Sequence, residues 1–364
     1  MNHRQRFVNF FTGQPYDRPP LLIFDAWLET KARWLEEGAV PSNDHIGVSI
    51  PGMDPDWEGN MWAGHDMVCL LAIGDKPFIE EENDGSRRIF CDAVGNRVME
   101  RLDGSCISNV LKYGLEPTPE NWEHYKTFLD PFDPRRWAAD WREKARAFAQ
   151  EDHVLTFKGG SLYGDLRNFM GVEALSYLMY DDPDLLHEMI DHLVHFYLSI
   201  MERILEECPC DVAYIWEDCC GADGPLFSPQ CYYEFFHEPY QKMIDFYHSH
   251  GVPLVLMDSD GKMGPLVDCW LDSGFDIIFP IEVGTWKESA PALRQKYGRR
   301  LQMMGGVDKH LISQGGEALR HHLTEMKETV EEGGFLPMPD HRISPECSYQ
   351  KMIEYVNMYR EIFG

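Results

Sequence analysis

The amino-acid sequence predicts an α/β protein built as a (β/α)8 barrel of the TIM type. From about residue 150 onwards, short apolar or β-branched runs alternate with amphipathic helical segments, a rhythm typical of strand and helix units that build a parallel sheet. No Gly-x-Gly-x-x-Gly segment opens a helix after the first predicted strand, so the doubly wound alternative lacks its usual signature. We therefore expect one barrel domain over residues 1–364.

The first residues are predicted to supply the opening elements of the barrel. Three phenylalanines share one face of a predicted helix over residues 3–12, which Gly13 and Pro15 end. The apolar run at 19–24 is predicted to form the first buried strand. A helical segment at 26–37 follows it, so the first strand and helix unit is complete before residue 38.

An insertion at about residues 38–150 is predicted between the first and third strands. It opens with a segment at 38–65 that is crowded with Gly, Pro, Asp and Asn and is long enough to form a lid. Residues 76–100 contain short apolar runs separated by NDG and AVGN, which predict a hairpin excursion outside the barrel.

Eight segments are predicted to form the barrel strands. Each is short, apolar or β-branched, and most of them follow residue 150. In chain order they are 19–24, 67–73, 153–160, 211–218, 252–261, 275–282, 300–308 and 334–341.

The composition and charge exclude several classes of partner. The chain has 33 basic and 61 acidic residues, and its formal net charge of −28 disfavours nucleic acid and anionic membrane surfaces. An acidic ligand would need a local group of basic residues. The N-terminal segment lacks the apolar core of a signal peptide, so we expect a cytoplasmic protein. The ten cysteines are expected to be reduced thiols.

Acidic residues and one histidine stand at the carboxyl ends of most predicted strands. In a barrel of this type these ends meet at one face, the mouth, where the chemistry takes place. Several carboxylates in one mouth repel each other unless some are protonated or a cation lies among them. The residues are Asp25, Glu217, Asp218, Asp258, Asp260, Glu282, Asp308, Asp340 and His341.

These strand ends suggest a divalent metal site. Oxygen-rich sites with one imidazole suit Zn²⁺, Mn²⁺ or Fe²⁺. Glu217 is predicted to be a further ligand or a catalytic proton carrier. The four predicted ligands are Asp258, Asp260, Glu282 and His341.

A structural alternative exists for the same residues. Asp258 and Asp260 could cap a helix that starts near Lys262. Asp340 and His341 could then form a hydrogen bond within their own loop.

Other side chains are candidates for the site. Tyr163, in the segment GGSLYGD at 159–165, is predicted to present a catalytic hydroxyl, the alternative being a plain turn between strand and helix. Cys219 and Cys220 could ligate a soft metal, although buried free cysteine is common. The residues predicted to line the substrate pocket are Asp25 and the tryptophans Trp27 and Trp216, with Trp57 and Trp62 as further aromatic candidates.

Several segments resemble the uroporphyrinogen decarboxylase superfamily, which includes cobamide-dependent methyltransferases. The resemblance covers most of the chain and implies a (β/α)8 barrel with its site in the mouth. It rests on RQRFVNFFTGQPYDRPP, GGSLYGD, VPLVLMDSDG, GFDIIFPIEVG, YGRRLQMMGGVDKHLI and EEGGFLPMPDHRISPECS.

The resemblance is closer to the methyltransferase branch than to the true decarboxylases. The decarboxylases carry RQAGR after the first strand, where arginines bind substrate carboxylates, whereas residues 24–34 here are FDAWLETKARW. The methyltransferases bind zinc through His-x-Cys and a later Cys, and these positions here are Asp258, Asp260 and His341. Oxygen and imidazole ligands leave a metal a stronger Lewis acid than thiolates do, which favours stabilising a leaving oxygen.

Three functions follow as alternatives. The first is a metal-dependent methyltransferase, with zinc as the expected metal, that moves a methyl group from a small methoxylated substrate to the corrinoid of a partner protein. The second is a decarboxylase-like lyase acting on a porphyrinogen or a smaller carboxylic acid, and the third is a non-catalytic binding protein. The resemblance also allows a homodimer. The lyase would need a basic clamp in the mouth, for which the candidates are Arg33, Lys158, Arg167 and Lys309.

Overall fold

The computed structural model describes residues 1–43, 46–55, 66–103 and 107–364. Trp57 and Trp62 lie outside the described residues. The described strands are β1 (Ile79–Asn83), β2 (Arg87–Cys91), β3 (Arg97–Arg101), β4 (Asn109–Lys112), β5 (Thr156–Gly160), β6 (Val212–Trp216), β7 (Cys220–Gly221), β8 (Gly224–Pro225), β9 (Leu254–Asp258), β10 (Ile277–Ile281), β11 (Gln302–Val307) and β12 (Phe335–Pro339).

Helices surround these strands and alternate with them in the second half of the chain. The described α-helices are α1 (His3–Thr12), α2 (Leu28–Glu36), α3 (Pro119–Tyr125), α4 (Trp141–Phe148), α5 (Tyr163–Met170), α6 (Val172–Asp181), α7 (Pro183–Leu205), α8 (Pro229–Phe235), α9 (His237–Ser249), α10 (Leu266–Ser273), α11 (Ala290–Tyr297), α12 (Lys309–Gln314), α13 (Gly316–Glu325), α14 (Lys327–Glu331) and α15 (Tyr349–Phe363).

A parallel six-stranded sheet forms the framework, in the order β12-β11-β10-β9-β6-β5. Its strands coincide with the six apolar runs predicted after residue 150, and helices separate successive strands along the chain. The predicted α/β class and the TIM-barrel-like architecture are therefore confirmed.

The first predicted strand lies beside the sheet but does not join it as a regular strand. Residues 19–24 form no regular strand, since Pro19 and Pro20 have no backbone N–H to donate. The segment nevertheless runs beside the end of β12, because Ala26 forms a parallel bridge with Ile343 and the Ile343 amide donates to the Asp25 carbonyl at 2.9 Å. The hydrogen-bonded sheet is thus left open on this side.

The predicted strand at 67–73 is wrong. Val68 forms an antiparallel bridge with Trp137, within the insertion, and none of the six parallel strands pairs with this segment among the described residues. The physical reason is the buried Arg136 side chain, whose guanidinium donates to the carbonyls of Cys69 and Leu71 at 2.9 and 2.6 Å. Those carbonyls are therefore engaged by an arginine.

The predicted hairpin excursion is present and is larger than expected. Strands β1 to β4 form an antiparallel sheet of their own, in sequential order. It covers the predicted 76–100 segment and extends to Lys112. This sheet lies within the predicted insertion and does not pair with the barrel strands.

Two layers of apolar side chains flank the parallel sheet. The outer layer packs between the sheet and the helices. The inner layer fills the barrel, and Phe7, Phe10 and Phe11 of α1 join it, as the spacing of the three phenylalanines predicted. Each strand alternates between the layers, so Leu254 and Leu256 of β9 point inward and Asp258 follows them on the same face. This alternation directs Asp258 to the interior of the mouth.

None of the helices in the described ranges combines the length and the apolar character that a membrane span requires.

Candidate functional site

Three carboxylates meet where β6 and β9 end. Potential ligand oxygens of Asp218, Asp258 and Asp260 lie within 4.8 Å of one another, and within the described ranges no other group of this kind is found. We refer to these three residues as the acidic cluster. The structure therefore brings together two of the four predicted metal ligands and adds Asp218.

Asp258 is positioned by the barrel interior. It is the last residue of β9, it is buried, and its neighbour on β6 is Trp216. The hydroxyl of Tyr214, which points inward from β6, donates a hydrogen bond to Asp258 Oδ2.

Asp260 is positioned by contact between two loops. Its backbone N–H donates to Asp218 Oδ1 at 3.3 Å, which joins the loops after β9 and β6. Gly261 makes this approach possible, because it has a φ of +99° and a Cβ atom there would lie 2.7 Å from the backbone carbonyl of Cys220. Any larger residue at position 261 would separate the two loops.

Asp218 has an uncommon backbone conformation, and its surroundings disfavour the charged form of its carboxyl group. Its φ is +42°, which is uncommon for a residue with a side chain. Burial and the neighbouring Asp260 carboxylate raise the pKa of Asp218. Arg167 offsets part of this repulsion: its Nη1 donates to the Asp218 carbonyl at 2.7 Å and its Nη2 lies 3.6 Å from Oδ2. The cluster thus concentrates negative charge that one arginine neutralises only in part.

Replacing Asp218 by Asn is expected to stabilise the metal-free protein. Asn tolerates positive φ and removes one of three mutually repelling charges, so we expect the free energy of unfolding to rise by about 1 kcal/mol and the melting temperature by about 2 °C. The measurement is a thermal melt in chelator, with Asp223→Asn, an exposed acid, as control. A lower melting temperature for Asp218→Asn alone would contradict it.

The two other predicted ligands stand beside the acidic cluster. His341 Nε2 lies 3.3 Å from Asp260 Oδ2, and the two form a hydrogen-bonded pair. Glu282 Oε2 accepts the Gly261 N–H at 2.9 Å. Burial, followed by the Asp260 carboxylate, raises the pKa of Glu282 to about 7. Glu282 can therefore hold a proton near neutral pH at the edge of the cluster.

The donor set fits a divalent cation. Three carboxylates and one imidazole are ligands that Zn²⁺, Mn²⁺ and Fe²⁺ accept. The vicinal cysteines are less suited, because the Cys219 thiol is buried against the Ser259 hydroxyl at 3.6 Å and burial raises its pKa. A metal here would be held by Asp218, Asp258 and Asp260, with His341 next to them.

The structural alternative is wrong for both pairs: neither Asp258 nor Asp260 caps a helix, and Asp340 bonds to other segments of the chain instead of to His341. The helix after β9 begins at Leu266, and neither Asp258 nor Asp260 caps it. Asp340 is fully buried and its carboxylate accepts the backbone N–H groups of three residues in neighbouring loops, Val283, Gly284 and Lys309. Asp340 thus ties loops together at the mouth.

Glu217 and Tyr163 point toward the layer between the sheet and the helices rather than into the mouth. Glu217 is 1% exposed and accepts the N–H groups of Leu162 and Gly164, both at 2.7 Å, and the hydroxyl of Tyr240. Burial raises its pKa to about 7. The Tyr163 hydroxyl is buried and has no hydrogen-bond partner among the described residues, and its ring packs on Phe227. These contacts favour structural roles, and the catalytic roles stay predictions.

The predicted substrate wall includes a basic corner. Asp25 is buried and its Oδ1 lies 2.8 Å from the Lys31 ammonium. The Arg342 guanidinium lies 3.9 Å from Asp25 Oδ2 and 5.4 Å from the centre of the Trp27 ring. We refer to Lys31 and Arg342, with Asp25 between them, as the basic corner. Trp216 lies on the other side of the mouth, under the Arg167 guanidinium at 5.0 Å.

Of the four basic residues predicted as a clamp, Arg167 is the one that contacts the acidic cluster. Arg33 pairs with Glu37, and Lys158 lies 3.4 Å from Asp165. Lys309 acts on Glu282 only through its charge, which lowers the pKa of that carboxyl. The sequence analysis missed Lys31 and Arg342, although Arg342 directly follows His341 and could have been found as a basic residue at a strand end.

The chain shows similarity to known proteins at two levels. A family model described as uroporphyrinogen decarboxylase (URO-D) matches residues 167–362, which is more than half of the chain. The fold is similar to that of a methyltransferase from Methanosarcina mazei, with a TM-score of 0.56 and 15% sequence identity over 99% of both chains. A comparison with curated proteins found no match.

Proposed function

The chain belongs to the uroporphyrinogen decarboxylase family, and from this premise we propose that it is a metal-dependent methyltransferase. Its substrate would be a small methoxylated compound, and the methyl group would pass to the corrinoid of a partner protein. The metal would be a divalent cation, with Zn²⁺ as the first candidate.

The acidic cluster is the observation that carries this proposal. Asp218, Asp258 and Asp260 offer hard oxygen ligands at the barrel mouth, with His341 next to them. A cation bound there would act as a Lewis acid toward an ether oxygen. Oxygen ligands donate less charge to a metal than thiolates do, so the metal stays a stronger Lewis acid. This supports ether cleavage over thiol methylation.

The chain's own residues would orient the substrate and supply one proton to the leaving oxygen. The reaction converts a methyl ether and a reduced corrinoid into a hydroxyl compound and a methylated corrinoid, so the leaving oxygen must gain a proton. Glu282 is suited to supply it, because its buried carboxyl stands at the edge of the acidic cluster, where Oε2 accepts the Gly261 N–H. Trp27 and Trp216 would line the substrate pocket. Glu217 is less suited as the proton carrier, because its carboxylate is engaged by Leu162, Gly164 and Tyr240 on the helix side of the sheet.

The test uses protein purified without chelator, methoxylated aromatic compounds and cob(I)alamin as the methyl acceptor. We expect about one divalent ion per chain by elemental analysis and a spectral change to methylcobalamin only when protein and substrate are both present. Chelator should abolish the change and added Zn²⁺ should restore it. Metal-free protein that still catalyses the transfer would contradict a metal-dependent reaction.

A lyase is the second candidate, because the matching family model is described as a decarboxylase and cations border the mouth at Arg167 and in the basic corner. Such a reaction would release CO2 from a carboxylic acid and would not require a corrinoid. CO2 release without methyl transfer in the same assay would favour the lyase. Binding of the compounds with neither reaction would favour a binding protein.

A further inference from the structure

We propose that Arg342 binds the carboxylate of the substrate, so that the substrate class is a flat, unsaturated carboxylic acid. This inference rests on the proposed function for the methoxy group, but the recognition of the acid is argued from the basic corner alone. Three features of the site support it: the donors of Arg342, the charged groups around it and the aromatic surface beneath it.

The guanidinium of Arg342 has N–H donors that no described residue accepts. Arg342 follows the end of β12 by three residues, and its side chain is 35% exposed at the mouth. Its guanidinium donates no hydrogen bond to any residue within the described ranges, and its nearest carboxylate is at 3.9 Å. By contrast, the buried Arg136 donates to four backbone carbonyls. The guanidinium of Arg342 is thus available to form a bidentate pair with an incoming carboxylate.

Two basic side chains lie close together at this point of a strongly acidic protein. One carboxylate, Asp25, lies between two cations, since Lys31 is 2.8 Å from Oδ1 and Arg342 is 3.9 Å from Oδ2. Among the described residues this corner brings together two cations and one carboxylate, whereas the whole chain carries a net charge of −28. An anionic ligand is repelled by most of the surface and would find its compensating charge here.

An aromatic surface leads from Arg342 to the acidic cluster. The guanidinium lies 5.4 and 5.8 Å from the ring centres of Trp27 and Phe24. The Phe24 ring is 5.4 Å from the His341 ring, and His341 Nε2 is 3.3 Å from Asp260. A flat ring lying on Phe24, with its carboxylate on Arg342, would direct its opposite end toward His341 and Asp260. That end is where a methoxy group would have to be.

The experiment compares two probes that differ only in charge, 4-methoxybenzoate and the neutral 4-methoxybenzamide, by calorimetry without any corrinoid. Wild type should bind the acid more tightly than the amide. Arg342→Gln should weaken binding of the acid by about 10- to 100-fold and leave the amide unchanged, because a charge-assisted hydrogen-bonded pair is lost. Arg342→Lys, which keeps the charge without the planar fork, should fall between them.

Arg320→Gln is the matched control, since Arg320 is also 35% exposed but pairs with Glu361 on the outer helices. It should bind the acid as wild type does. Equal affinity of wild type for acid and amide, including no detectable binding of either, would overturn the proposal. An equal loss for both probes in Arg342→Gln would also overturn it, because it would indicate packing.

Failure of the proposed function would look different. Arg342-dependent binding of the acid without any methyl transfer would leave the carboxylate subsite standing and remove the methyltransferase. Methyl transfer from a methoxylated compound, combined with equal binding of the acid and the amide, would remove the carboxylate subsite and leave the methyltransferase standing.

Discussion

Replacing both Asp258 and Asp260 by Asn is expected to reduce bound divalent metal from about one ion per chain to less than about a tenth, and to lower methyl transfer by at least about 1,000-fold. The two residues supply two of the three carboxylates that lie within 4.8 Å of one another, and His341 contacts the cluster through Asp260. Asn keeps the shape of each side chain but not its charge, so metal affinity is lost with little change in packing. The measurements are elemental analysis and the cob(I)alamin assay.

The matched control is a variant with two exposed acids replaced, Asp223→Asn and Asp245→Asn, which has the same change in net charge. It should retain both metal and activity. Folding of the active-site variant is checked by a melt in chelator, where its melting temperature should not fall because repulsion is relieved. Full metal occupancy in the double variant would rule out the acidic cluster as the metal site.

Replacing Glu217 by Gln is expected to destabilise the protein by about 3 kcal/mol and to lower its melting temperature by about 5 °C at pH 8. Three donors converge on this buried carboxylate: the N–H groups of Leu162 and Gly164 and the hydroxyl of Tyr240. An amide nitrogen cannot accept a hydrogen bond, so one of these buried donors would be left unsatisfied. A thermal melt measures the effect.

Two further variants make this prediction specific. Tyr240→Phe removes one donor and should cost about 1 kcal/mol, whereas Glu234→Gln, on an exposed position of α8, should cost nothing measurable. If Glu217→Gln melted like wild type but had no activity, Glu217 would be a catalytic proton carrier, as the sequence suggested. Our structural interpretation of its contacts would then be wrong.

The sequence predicted the strands that a local pattern of residues reveals. It failed where the structure depends on a contact with a residue distant in the chain. The six runs after residue 150 became β5, β6 and β9 to β12, because alternation of apolar side chains reports a buried strand directly. The run at 67–73 has similar composition, yet Arg136 engages its carbonyls. Residues 19–24 lie in the right place but form no regular strand, and two of them are prolines without a backbone N–H.

The candidate site shows the same division. Asp258 could be placed in the mouth from its position two residues after Leu256 on the inward face of a strand. The joining of Asp218 to the cluster could not, because it depends on a positive φ and on Gly261 lying against the backbone of Cys220. Glu217 was expected beside the metal, but its side chain turns the other way and binds the loop after β5.

By itself, the sequence determined which segments after residue 150 are buried strands, that the second half of the chain is a parallel α/β sheet, and that acids gather where its strands end. These properties follow from periodicity and from the common direction of parallel strands, and both can be read along the chain. Only the tertiary structure decided which acids touch and that Arg342 lies over Trp27 beside Asp25. Such contacts join loops distant in sequence, and their geometry depends on strand register and twist, which no local pattern encodes.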